Sequence, residues 1–99
     1  SQMGVLEYTY TEADLYTLIE NNIQLLAVSA QNKGIYLNNE ATKNLKVWID
    51  VNSINTVLRN LLSNAIKFTS TDGTVTIKTI AKLNEVEIQV IDTGIGMSK

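Results

Sequence analysis

Residues 54–68 constrain the fold more than any other stretch of the chain. Ile54, Val57, Leu58, Leu61, Leu62, Ala65 and Ile66 recur at the i, i+3, i+4, i+7 spacing of one buried helix face. A helix with such a face must bury it against another element, so the chain needs at least two layers. Three polar residues interrupt the pattern. Asn60, Asn64 and Lys67 are spaced i, i+4, i+7 and form a column in a sector about 60° wide. The column borders the apolar face at Val57. Two carboxamides offer oxygen ligands to a hard cation, and the ammonium offers charge to an anion. Mg²⁺ bridged to phosphates is the ligand that wants both. The alternative is that these residues fill a solvated helix face.

The end of the chain favours the first reading. Val86, Ile88 and Val90 alternate with Glu87 and Gln89, the pattern of a half-buried strand. Ile91 then gives way to Asp92, Gly94 and Gly96. An acid followed by two glycines at a strand's end makes a turn where backbone can approach a ligand closely. Alone, DxGxG is also an ordinary Asp-Gly turn. Paired with NLLSNAIKFT upstream (Asn60 to Thr69), across a hairpin, it is far more specific.

On these two stretches the chain resembles the ATP-binding domain of bacterial sensor histidine kinases, within the superfamily that includes DNA gyrase, MutL and the large heat-shock chaperones. NLLSNAIKFT looks like that family's N box, and DTGIG looks like its G1 box. DLYTLIENNIQLLAVSAQNKGIYL and KVWIDVNSINTVLRNLLSNA resemble the family upstream, so the likeness covers almost all of the chain. The resemblance implies that Asn64 binds the Mg²⁺ that holds the ATP phosphates. It implies that Asn60 lines the same phosphate site, that Lys67 contacts phosphate, and that Phe68 lies against adenosine. Asp92 would accept a hydrogen bond from the adenine amino group, and Gly94 and Gly96 would let the backbone turn beneath the base. Where hydrolytic members of the superfamily carry a water-activating Glu, this chain has Asn60. An amide is not a general base at neutral pH, which argues for transfer to a protein acceptor over hydrolysis.

By the same resemblance, residues 1–99 are a partial catalytic domain that stops just past the G1 box. The F box, ATP lid, G2 box and last helix and strands are absent from these 99 residues, and the chain has no His. The phosphoacceptor histidine is then expected on a separate dimerisation domain of the same protein, with a response regulator downstream. The domain would be the cytoplasmic portion of a sensor kinase. Alone, it is expected to lack kinase activity and to self-associate through uncovered sheet.

Composition sets the outer bounds. The chain is 44% hydrophobic with a net charge of -2, which excludes a disordered acidic or basic tail. Its eight Lys and Arg are scattered, so no nucleic-acid surface is expected. Without Cys there is no disulfide, zinc thiolate or thiol nucleophile. No apolar run approaches the ~20 residues of a membrane span.

In chain order, Gly4 to Tyr10 reads as a strand, and Thr11 as the cap of a helix with Glu12 and Asp14 in its first turn. Leu15, Leu18, Ile19, Ile23, Leu26, Ala27 and Ala30 form that helix's stripe, which closes at Lys33-Gly34. Ile35 to Asn39 and Leu45 to Ile49 read as strands, with Trp48 as a packing residue on the sheet. Asp50 or Asn52 caps the next helix. Ser70 to Gly73 is a turn, and Thr74 to Ala81 pairs with Glu85 to Ile91 through a hairpin at Leu83-Asn84. The order β-α-β-β-α-β-β predicts an α/β two-layer sandwich, both helices on one face of a mixed sheet. The resemblance implies the same fold, the Bergerat ATP-binding sandwich, without its C-terminal elements. Two further readings stay open: a docking or dimerising module that no longer uses nucleotide, and a chaperone- or topoisomerase-type ATPase.

Overall fold

The computed structural model describes residues 8–93. Strand β1 (Tyr10–Asp14) leads into helix α1 (Leu15–Lys33). Strands β2 (Tyr36–Glu40) and β3 (Lys46–Asp50) follow, then helix α2 (Val51–Phe68). Strands β4 (Thr74–Ala81) and β5 (Val86–Asp92) end the described fold. The order is the predicted one, and helices pack on sheet in two layers. The strands divide between two sheets: β1 pairs antiparallel with β3, while β4 lies between parallel β2 and antiparallel β5.

The start of the chain differs from expectation. Of the strand expected at Gly4–Tyr10, residues 4–7 lie outside the described residues, and β1 begins only at Tyr10. Thr11 and Glu12 are strand residues, so Thr11 is not a helix cap. Pairing with β3 extends the strand to Asp14, opposite Lys46. Asp14 caps α1 instead, its Oδ1 accepting from Thr17 N–H at 3.4 Å. The cap belongs there because the buried stripe starts at the next residue, Leu15.

Both helix stripes meet over β4. Leu15, Leu18, Ile19, Ile23 and Ala30 of α1 are buried with Leu58, Leu62, Ala65 and Ile66 of α2 and with Val75 and Ile77 of β4. Among them sits one amide. Asn22 is 1% exposed and falls on the α1 stripe itself. Its Nδ2 donates to Leu18 O and to Asn55 Oδ1 of α2, both at 2.9 Å, so the two helices share a buried polar bridge.

The caps read from the sequence hold at the other helix ends. Gly34 closes α1 at φ 79°, a left-handed conformation glycine adopts without strain. Asp50 caps α2, accepting from Ser53 N–H at 2.9 Å and also from Thr9 N–H. These backbone donors, Ser53 first, hold the Asp50 carboxyl below its ordinary value of 3.8. A lowered folded-state pKa stabilises the fold above the unfolded value, and this contribution fades as pH falls through the folded one. Thermal melts should therefore show stability dropping as pH is lowered below about 3.8, and Asp50→Asn should flatten that drop. An unchanged pH profile in Asp50→Asn would assign the acid sensitivity elsewhere.

Trp48 does not pack into the sheet; it is 70% exposed. On β3, Val47 and Ile49 turn toward the core, so the strand's alternation carries Lys46 and Trp48 outward. The ring borders a groove of about 540 Å³ between β3 and the β4–β5 hairpin, with Val47, Ile54, Val86 and Ile88 also lining it. None of the residues singled out for ligand binding lines this groove. Among the described residues no helix is long and apolar enough to cross a membrane.

Candidate nucleotide site

Helix α2 carries four of the candidate residues. Asn60, Asn64, Lys67 and Phe68 are all exposed. At 1.5 Å per residue, Asn60 and Lys67 stand about 10 Å apart along the axis. The buried residues Leu58, Leu62, Ala65 and Ile66 occupy the far side.

Val57 and Leu61 depart from the expected pattern. Their spacing placed them in the core, yet they are 48% and 40% exposed. They stand beside the polar column, together with Phe68 at 71%. Val57, Leu61 and Phe68 lie alongside Asn60, Asn64 and Lys67 in a strip about 120° wide. The strip lies between the core face and a plainly solvated face of Asn52, Thr56, Arg59 and Ser63, all exposed. Apolar residues left in the open beside free amide and ammonium groups suit a ligand wall better than a solvated flank. The Lys67 ammonium rests 5.4 Å from the Phe68 ring centroid, so charge and ring are presented together.

The end of β5 is brought to the same end of the molecule. After Phe68 the chain turns through Thr69–Gly73 into β4. Gly73 N–H donates to Ser70 O at 2.9 Å, and Thr93 N–H to Thr74 O at 3.0 Å. Thr74 N–H in turn donates to Thr93 Oγ1 at 3.2 Å. Gly73 is required by space. A Cβ there would sit 2.3 Å from Thr69 Cγ2, 2.8 Å from Ser70 O and 2.9 Å from Thr93 Oγ1. This close approach locks the end of α2 against the end of β5. Asp92 lies opposite Val75 in the ladder, so both project from the sheet face on which the helices pack. Asp92 is exposed there. Lys67, Phe68 and Asp92 thus share one end of the fold, and Asn64 and Asn60 lie one and two turns back along α2. Gly94 and Gly96 lie outside the described residues.

One participant escaped the sequence. Lys33, at the end of α1, reaches across to α2, where its Nζ donates to Ile66 O at 2.8 Å and Lys67 O at 2.6 Å. Its spacing suggested only a cation at the end of its own helix.

The two-layer sandwich has counterparts among known proteins. The family model of histidine kinase-, DNA gyrase B- and HSP90-like ATPases matches residues 49–99. The chain belongs to that family. It is 36% identical over 100 residues to the cell-division control histidine kinase PdhS of Brucella canis, covering 99% of this chain and 10% of that protein. The chain therefore spans about a tenth of the length of this curated relative. The catalytic domain of histidine kinase ThkA superposes with a TM-score of 0.82 at 27% identity, over 92% of this chain and 63% of that one. Full-length ShkA, solved in complex with AMPPNP, superposes with a TM-score of 0.82 at 27% identity, over 96% of this chain and 21% of that one.

Proposed function

We propose that residues 1–99 are the ATP-binding part of a two-component sensor histidine kinase, which presents the γ-phosphoryl of ATP to a histidine elsewhere in the protein. The mixed strip on α2 carries this reading, because it pairs exposed apolar residues with groups suited to a nucleoside polyphosphate. Asn64 would hold Mg²⁺ through its side-chain oxygen. One protein oxygen beside phosphate oxygens and water is the donor set that ion commonly accepts. When bound, the ion neutralises phosphate charge. Asn60 would line the phosphates and Lys67 would contact them. Phe68 would lie against the adenosine part, and Gly94 and Gly96 would turn the backbone under the base. Asp92 would accept from the adenine amino group. With Asn60 where hydrolytic relatives have Glu, no side chain in the column is a base for water. Positioning and electrostatics are what remain for this domain to supply.

The phosphoacceptor must come from outside this stretch, which contains no His. The 99 residues alone are proposed to have no kinase activity and to bind Mg·ATP only at millimolar concentration or weaker. The candidate side chains stand exposed, where a single charge pair is worth only ~0–1 kcal/mol. A response regulator is the proposed downstream partner. ShkA's complex with AMPPNP supports the nucleotide part of this reading.

Adenine selectivity tests the proposal. A carboxylate at Asp92 accepts from the adenine amino group and repels the guanine carbonyl at the same place. In the whole kinase, Asp92→Asn should weaken ATP binding by about 1.5–3 kcal/mol, the range for a hydrogen bond to a charged group. Equal affinity of the unmodified kinase for ATP and GTP would remove Asp92 from this role.

A second reading draws on the groove and on β5. That strand pairs only with β4 among the described residues, so one of its edges is open beside apolar lining. A docking or self-associating module could use both features. It predicts a chain that associates and ignores nucleotide.

A further inference from the structure

The candidate site sits at an unusual place on its helix. Lys67 and Phe68 are the last two residues of α2. The end of a helix carries partial negative charge and carbonyl oxygens without intrahelical donors. Anions ordinarily bind at the opposite end, where N–H groups point outward. A polyphosphate contacting Lys67 therefore meets a backbone terminus of the wrong sign.

We propose that Lys33 is a positioning residue that makes this terminus fit for phosphate. The inference rests on the nucleotide reading above. Thr69 N–H takes the Ala65 carbonyl at 3.0 Å. The next two carbonyls, of Ile66 and Lys67, are taken by the Lys33 ammonium at 2.8 and 2.6 Å. Lys33 is free to do this because backbone donors close its own helix: Gly34 N–H donates to Gln31 O at 3.0 Å and Ile35 N–H to Ala30 O at 2.8 Å. The adjoining backbone is pinned as well. Asp72 N–H, from the turn after α2, donates to Gly34 O at 2.8 Å. The ammonium is thus fixed at the α2 end by its own contacts and by the backbone beside it.

A full positive charge on the last carbonyls offsets the helix's negative end beside Lys67. The charge acts on phosphate and not on base or sugar, and this separates the proposal from a simple structural role.

The test measures binding of Mg·ATP and, separately, of adenosine to the whole kinase by calorimetry at low ionic strength. Lys33→Met keeps the apolar stem and removes the charge. Lys33→Arg restores the charge and the donors. Lys33→Met should weaken Mg·ATP about two- to fivefold, the scale of one charge at a helix end, while adenosine binding is unchanged. Lys33→Arg should recover most of the loss. Unchanged Mg·ATP affinity in Lys33→Met overturns the role of Lys33 and leaves the nucleotide reading standing. Equal weakening of Mg·ATP and adenosine also overturns it, since only the fold would then be affected. A whole wild-type kinase that binds neither ligand removes the nucleotide reading itself, and the role of Lys33 with it.

Discussion

Leu62→Ala is expected to destabilise the fold by about 2–5 kcal/mol, the usual cost of emptying a fully buried leucine site. Leu62 is 0% exposed and sits mid-helix on the stripe that joins α2 to the core. Its neighbours cannot collapse easily into the space. Leu58, one turn earlier, is also 0% exposed, and so are Ile19, Val75 and Ile77. A domain of this size has only about 5–15 kcal/mol of stability in all, so the loss should be plain in a urea melt. The midpoint should fall while the slope holds. A loss below about 1 kcal/mol would mean that α2 is not anchored as described. Leu62 is separated from Asn64 by about 200° around the helix. The substitution therefore reports on folding and leaves the candidate ligand strip intact.

The division of α2 into a buried face and an exposed mixed strip is only half legible in the sequence. Leu58, Leu62, Ala65 and Ile66 were found by spacing alone, because burial of a stripe is what sets that spacing. Val57 and Leu61 fit the same spacing and are exposed. Periodicity registers that a residue is apolar; it does not distinguish a core neighbour from one left at the surface. Asn22 shows the converse. It occupies a stripe position between Ile19 and Ile23, where an amide breaks the pattern, and its partner Asn55 is 33 residues away. A polar residue at a core position is a signal, but identifying its partner requires the packing.

Local chemistry was the most legible part. Gly34 and Asp50 were readable as caps because capping is settled within a few residues. The β4–β5 hairpin followed from alternation and a turn. At the start of α1 two rules compete. Thr11 is a good cap in isolation, but cross-strand pairing with β3 claims residues 10–14 first. Lys33 was readable as a helix-end cation. That the helix it serves is α2 follows from how the two helices pack, and no local pattern holds that information. Asn60, Asn64, Lys67, Phe68 and Asp92 were singled out by residue type and by resemblance. The structure brings the last three to one end because Gly73 lets the end of α2 and the end of β5 come together.

Asn64→Ala should cost the whole kinase its use of Mg·ATP while leaving the fold untouched. Asn64 is exposed, so its truncation should change stability by no more than about 0.5 kcal/mol. Its place in the middle of the polar column makes it the oxygen donor flanked by the other two polar groups. On the proposed role, losing that donor removes a preorganised contact to the charge-neutralising ion, on the order of a hundredfold in rate for groups of that kind. Autophosphorylation, measured at saturating response to signal, should fall by about that factor. Asn64→Asp keeps the oxygen but adds a negative charge beside phosphates, so it should fail more at low metal concentration than at high. Leu62→Ala is the matched control on the same helix: it lowers stability, and below its melting temperature it should retain the wild-type rate. If Asn64→Ala autophosphorylates like the wild type, the metal role of Asn64 is wrong. If Leu62→Ala and Asn64→Ala lose rate together in proportion to lost stability, the strip on α2 is a solvated face and not a ligand wall.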